Sequence, residues 1–290
     1  MFALGVVSAQ VQPTPPAPPP DASPDTSAES TGRTLPPPRE VSSKINTGTG
    51  FSIQPMYWLT SGSANLLPGK TNGNIDPGNF TYPTSARRVP GAQASIPVSS
   101  NGVLRVSFFQ AKNTDSTIAT RKYNLYNITV TPGDGLPYNY KIQDFKVSYD
   151  YLTYFWQRGG QEIRLKTLWE MQRISVDNSL SDFTFDADGN LTQANDIIGS
   201  NSLTVPTLGM GLEHTLSPRF RWEGKASGWI LPHKSTVGDV EGSINFRVSH
   251  LELVLGGRSL YYKTSPKGAH YNSGRISGPY IGIRYYFKKQ

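Results

Sequence analysis

The 290-residue chain contains no cysteine, which excludes a disulfide framework, a thiolate nucleophile and a cysteine-bound metal. Nowhere do eighteen apolar residues follow one another, so the chain has no candidate transmembrane helix. Histidine is scarce, at 4 residues, leaving little material for imidazole chemistry. The formal net charge is +7, yet the basic residues are scattered and mixed with acids. No basic run of the kind that grips nucleic acid occurs, and a nucleic-acid partner is excluded on that ground. What is abundant is glycine at 28, tyrosine at 15 and phenylalanine at 12, a composition that suits an all-β chain with many turns.

The N-terminal part divides by composition. "MFALGVVSAQ" carries a short apolar stretch followed by Val7, Ser8 and Ala9, the small-residue pattern cut by signal peptidase. Residues 1–9 therefore read as the tail of a secretory signal peptide, although an ordinary disordered N-terminus fits as well. Residues 10–48 are dominated by proline and small polar residues that bury too little apolar surface to fold. They are expected to be a disordered, extended periplasmic linker.

From Phe51 onward the pattern has period two. Ten runs are expected to be strands, at about 51–60, 88–98, 102–112, 143–157, 161–174, 203–215, 219–231, 239–248, 251–263 and 278–287. An even number closes antiparallel, first against last, and leaves no edge. The connections alternate. Those at 99–102, 157–160, 216–219 and 248–251 are tight, whereas 61–87, 113–142, 175–202, 232–238 and 264–277 are mostly longer and polar. Short turns at one end and long loops at the other are the layout of outer-membrane barrels.

Parity separates each run into two faces. Ile163, Leu165, Thr167, Trp169 and Met171 share one side of their run, against Arg164, Lys166, Glu170 and Gln172. The same division sets Val240, Ile244, Phe246 and Val248 against Asp239, Glu241, Asn245 and Arg247. A soluble sandwich also alternates, but two features point to lipid. Aromatics on the apolar side cluster near run ends: Phe51, Phe155, Phe220, Trp222, Phe246, Tyr285 and Phe287 at the tight-turn end, and Tyr57, Phe108, Trp169 and Tyr261 toward the other. Between them, small Gly224, Ala226 and Gly228 leave holes in a sandwich core and none against fluid lipid. The fold class expected for 49–290 is thus all-β, a closed antiparallel transmembrane β-barrel of about ten strands in the cell outer membrane.

The terminal strand, with Gly282, Tyr285 and Phe287, resembles the assembly signal of bacterial outer-membrane β-barrel proteins. The resemblance covers about residues 50–290, and Lys288, Lys289 and Gln290 extend past the usual terminal aromatic. It implies insertion by the barrel-assembly machinery and contact with outer-membrane lipid. It transfers no catalytic residue.

Ten strands make a narrow cylinder that side chains largely fill. Parity places Arg105, Lys146, Arg164, Lys166, Arg221, Lys225, Arg247, Arg258 and Arg284 inside, against Asp144, Asp150, Glu162, Glu170, Glu213, Glu223, Asp239, Glu241 and Glu252. Balanced charges can be tolerated when paired and hydrogen-bonded, so a cross-linked lumen is expected. The role expected is structural or surface-interacting, with no enzyme activity, no metal and no cofactor. A narrow porin-like channel for a small solute is the alternative, and an extracellular ligand the other partner left open. A rim hydrolase built on His233 and Asp239 is the remote one. Asp186, Asp188 and Asn190 around Gly189 bunch oxygen ligands, but they lack the late glutamate of a calcium loop and read as an Asp-Gly turn. Tyr123, Tyr126, Tyr138, Tyr140, Phe183 and Phe185 are expected in the long loops, packed as a lid.

Overall fold

The computed structural model describes residues 50–68, 80–83, 89–125, 128–185, 191–231, 235–265 and 270–287. The sequence features at 1–49, the Asp-Gly turn and His233 lie outside these residues. Among the described residues there is no helix, and every long element is a strand.

The strands are β1 (Ser52–Trp58), β2 (Ser61–Pro68), β3 (Phe80–Pro83), β4 (Val89–Pro97), β5 (Gly102–Ile118), β6 (Tyr123–Leu125) and β7 (Ile128–Val130). They continue as β8 (Gly135–Arg158), β9 (Gln161–Phe185), β10 (Leu191–Ser217), β11 (Phe220–Leu231), β12 (Ser235–Val248), β13 (Leu251–Lys263) and β14 (His270–Tyr286). β6 and β7 form a small separate hairpin. All the others join one antiparallel sheet in the order β1-β4-β5-β8-β9-β10-β11-β12-β13-β14-β2-β3, which the β1–β14 pairing closes. β14 pairs with β1 through its last turnward residues and with β2 through its first, so β1 and β2 are two lengths of one stave interrupted at Leu59 and Thr60. Counting β3 with β4 in the same way leaves ten staves, a closed ten-stranded barrel.

Two tight turns show how the sequence sets the short-turn end. Gly159 and Gly160 both have positive φ, at 57° and 83°, which a two-residue hairpin requires and glycine adopts without a Cβ clash. Ser249 takes the left-handed position, at φ 55°, in the Ser249–His250 turn.

The wall is much longer than the run lengths predict. β8, β9 and β10 have 24, 25 and 27 residues, so most of 113–142 and 175–202 is strand rather than loop. At about 3.3 Å per residue and a tilt of about 40°, β10 rises roughly 70 Å, against an apolar band of about 25 Å. The extra length has a different polarity. On β9, Arg164, Lys166, Glu170 and Gln172 point inward and are buried, but further along Ile174, Val176 and Leu180 take the inward positions. The outward side changes oppositely, from Trp169 and Met171 to Arg173, Ser175, Asp177 and Ser179. The same reversal runs along β8, from inward Asp150, Ser148 and Asp144 to inward Ile142, Tyr140, Tyr138 and Leu136. A polar-to-apolar switch at constant period two keeps the strand intact and exchanges the solvents of its faces.

Candidate functional site

The lumen near the short-turn end is a network of ion pairs. Arg221 lies between three carboxylates, 3.1 Å from Glu213, 3.1 Å from Glu223 and 2.9 Å from Glu252. Arg284 reaches Glu252 at 3.0 Å and Glu223 at 3.5 Å, and its Nε donates to Gln54 Oε1 at 2.8 Å. Lys166 pairs with Glu213, and Arg164 joins Glu162 at 2.7 Å. The Tyr286 hydroxyl donates to Glu252 at 2.8 Å, and Arg247 lies over the Tyr286 ring, 4.2 Å from its centroid. Further in, Lys225 stands 4.0 Å from Glu223, and Tyr280 donates to Glu241.

Several of these pairs cross the cylinder. Arg105 on β5 binds Asp150 at 2.7 Å and approaches Glu223 on β11 at 3.8 Å. Lys146 on β8 reaches Asp239 on β12 at 2.7 Å, and Arg258 on β13 binds both Asp239, at 2.6 Å, and Asp144 on β8, at 2.9 Å. Neutral groups occupy remaining lone pairs: Gln172 donates to Asp144 at 2.8 Å and Thr207 to Glu170 at 2.9 Å. Bonds between opposite walls turn a ring of charges into a cross-braced plug. Each carboxylate there would be costly alone, and pairing plus hydrogen bonding offsets its desolvation.

Above this network the interior is mostly apolar. The Arg258 guanidinium sits over Phe109 and Trp58, 4.9 and 5.7 Å from their centroids, and those two rings meet edge to face at 5.0 Å. Trp58 anchors its indole N–H on the Gly278 carbonyl at 2.9 Å. Beyond it Val89, Leu136, Ile142, Ile174, Val176, Val205, Val237, Leu260, Tyr262 and Ile276 form one buried cluster contributed by staves from all round the barrel. Within it the Asn178 amide donates to Asn272 at 2.7 Å.

The outward face inverts the usual rule of burial. Trp169, Met171, Met210, Val240, Ile244, Leu253, Ile281 and Ile283 are exposed, while Arg105, Arg258, Arg284, Lys166, Glu213 and Glu252 are buried. On β14 the outward series Ile281, Ile283, Tyr285, Phe287 is wholly apolar. On β9 the apolar outward stretch, Ile163 to Met171, is about the 9–11 tilted residues needed to cross a hydrocarbon layer. Water is the wrong solvent for such a wall.

The outer membrane protease OmpT of Escherichia coli is a solved structure with the same architecture, superposing with a TM-score of 0.51 at 8% identity over 83% of this chain and 98% of that one. The fold is that of an outer-membrane β-barrel. The barrel is also similar to Ail of Yersinia pestis, at 10% identity, a TM-score of 0.34 and coverage of 82% and 99%. The toluene transporter TodX of Pseudomonas putida is similar at 7% identity, a TM-score of 0.34 and coverage of 83% and 91%. No protein-family model matches the barrel's sequence, and no curated protein sequence matches it.

Of the aromatics expected in belts, Phe51, Tyr57, Phe108, Trp169, Phe246, Tyr261, Tyr285 and Phe287 are outward and exposed, and Phe220 and Trp222 are outward and half-buried. Phe51, Tyr285 and Phe287 cluster at the short-turn end, with ring centroids 4.8 and 4.9 Å apart. Phe155 is the exception. A bulge between Leu152 and Tyr154 shifts parity by one, so Phe155 pairs with inward Arg164, whose guanidinium lies 5.8 Å from its ring. Tyr154 and Trp156 take the outward places instead, both exposed. Tyr138 and Tyr140 are buried in the β8 wall and so cannot form a loop lid, while Phe183 and Phe185 belong to β9. Asp239 is held by Lys146 and Arg258 inside the lumen and is not a rim residue. The apolar layer escapes a parity reading confined to short runs; the signal for it is the alternation of 135–142 and of 174–181, broken only at Asn178.

Proposed function

We propose that the protein is a sealed outer-membrane barrel that acts by presenting its long-loop wall outside the cell, and neither conducts solute nor catalyses a reaction. The carrying observation is the stacking of two layers in one lumen, a cross-braced ion network and, directly above it, a dry cluster capped by Trp58 and Phe109. A hydrated path would have to break ion pairs in the first and wet apolar side chains in the second. The short-turn end faces the periplasm, and residues 10–48 serve as a periplasmic linker. Lipid solvates the outward apolar band, and the barrel-assembly machinery reads Gly282, Tyr285 and Phe287. The partner at the far end is an extracellular ligand or surface met by the extended wall and the loops it carries.

Planar-bilayer recording on the purified full chain tests this reading. The expected result is no stable ohmic current across the physiological voltage range. Steady conductance from the unaltered protein would overturn the sealed lumen in favour of a narrow solute channel.

A further inference from the structure

The inward cations sit among carboxylates; those on the outward face are arranged otherwise. Lys112 on β5 and Lys141 on β8 stand directly opposite each other in register, alternating with buried Ala111, Tyr140 and Ile142 and therefore pointing outward. Asp177 is Lys141's other neighbour in that row, and its carboxylate accepts a hydrogen bond from the Ser200 hydroxyl at 2.6 Å. Among the described residues neither ammonium has a carboxylate within ion-pair distance. Like charges opposed across an antiparallel pair are destabilising unless an anion lies between them.

Their height is informative as well. One outward step toward the membrane, Gln110 and Gln143 are hydrogen-bonded at 2.9 Å. The next step holds Phe108 and Phe145, 43% and 45% exposed, with Arg173 alongside, and there the apolar band ends. An open hollow of about 730 Å³ starts at Lys112, Lys141 and Asp177 and extends one step away from the membrane, along Thr114, Asn139 and Ser179. We infer that Lys112 and Lys141, with Arg173 below them, bind the phosphate of a membrane-lipid headgroup in the leaflet at the long-loop end. The ammonium groups neutralise the phosphate, the glutamines offer amide N–H donors, and the aromatics contact the upper acyl chain. This inference rests on the membrane placement proposed above.

The test uses the full chain in detergent, with phosphatidic acid, phosphatidylcholine of the same acyl chains, and inorganic phosphate as probes, and lipid retention read by native mass spectrometry. The wild type is expected to prefer phosphatidic acid over phosphatidylcholine by at least about tenfold, with about fivefold lost per lysine removed in K112Q and K112Q/K141Q. K112R/K141R restores the preference, and equimolar inorganic phosphate does not displace the lipid. Heat-dependent gel mobility verifies that each variant is folded. An unchanged preference in folded K112Q/K141Q, or displacement by free phosphate, would overturn the inference. A wild type that needs detergent yet shows no preference sinks this site alone, whereas one that is monodisperse without detergent sinks the membrane placement itself.

Discussion

Single residues carry the cost of putting charge inside a narrow barrel. Arg258 holds two aspartates from different staves and roofs the ion network with two rings. Replacing it with methionine keeps the bulk and strands Asp144 and Asp239 with Lys146 as the nearby cation. Removing one partner of a buried pair costs about 3–5 kcal/mol, so Arg258→Met is expected to lower the temperature of the heat-dependent gel shift markedly. Arg275→Met makes the control. Arg275 is exposed on the outward side and donates to Ser259 at 3.1 Å, and its loss is expected to stay within about 0.5 kcal/mol. Gly282 shows a different constraint. A Cβ there would lie 3.0 Å from Gln54 Nε2 and 3.2 Å from the Pro55 carbonyl, crowding the side chain whose Oε1 accepts from Arg284. Gly282→Ala is therefore expected to cost about 1–3 kcal/mol in unfolding measurements, apart from any effect on assembly.

At the scale of the strand, one inserted residue re-aims an aromatic. The bulge at Thr153 exchanges the faces of everything between it and the Gly159–Gly160 turn. Cysteines introduced singly at 154, 155 and 156 should report this: fluorophores at 154 and 156 quenched by lipid-borne nitroxide, and the one at 155 unaffected. Quenching at 155 equal to its neighbours would contradict the register. Most staves were legible as period-two segments, because a strand with an apolar outer face and a charged lumen face alternates strongly. Their upper ends were not, since there the outward face turns polar and the inward face apolar. Ser175, Asp177 and Ser179 then look like loop composition, although Ile174, Val176 and Leu180 maintain the same alternation.

For the whole molecule, closure of the sheet and filling of its interior together set what passes. Thinning the roof by Trp58→Ala with Phe109→Ala removes two large buried rings, which destabilises by several kcal/mol and leaves a cavity between network and dry layer. Planar bilayers should still show no steady current, because the cross-lumen pairs remain; current appearing in this double variant would place the whole seal in the aromatic roof. Net charge is nearly irrelevant at this scale. The inward charges balance, and the formal +7 belongs to the rest of the chain, including the outward Lys112, Lys141 and Arg173.

By itself the sequence determined that the folded part is an antiparallel barrel with an apolar outer wall and balanced charge within, because parity and the side-chain chemistry of each run are local properties. Only the tertiary structure decided which carboxylate meets which cation, since Lys146 with Asp239 and Arg258 with Asp144 are contacts across the lumen between staves far apart in the chain. It alone turned Phe155 inward and assembled a dry layer from single positions on many strands, because bulges and burial are set by neighbours the local pattern does not contain.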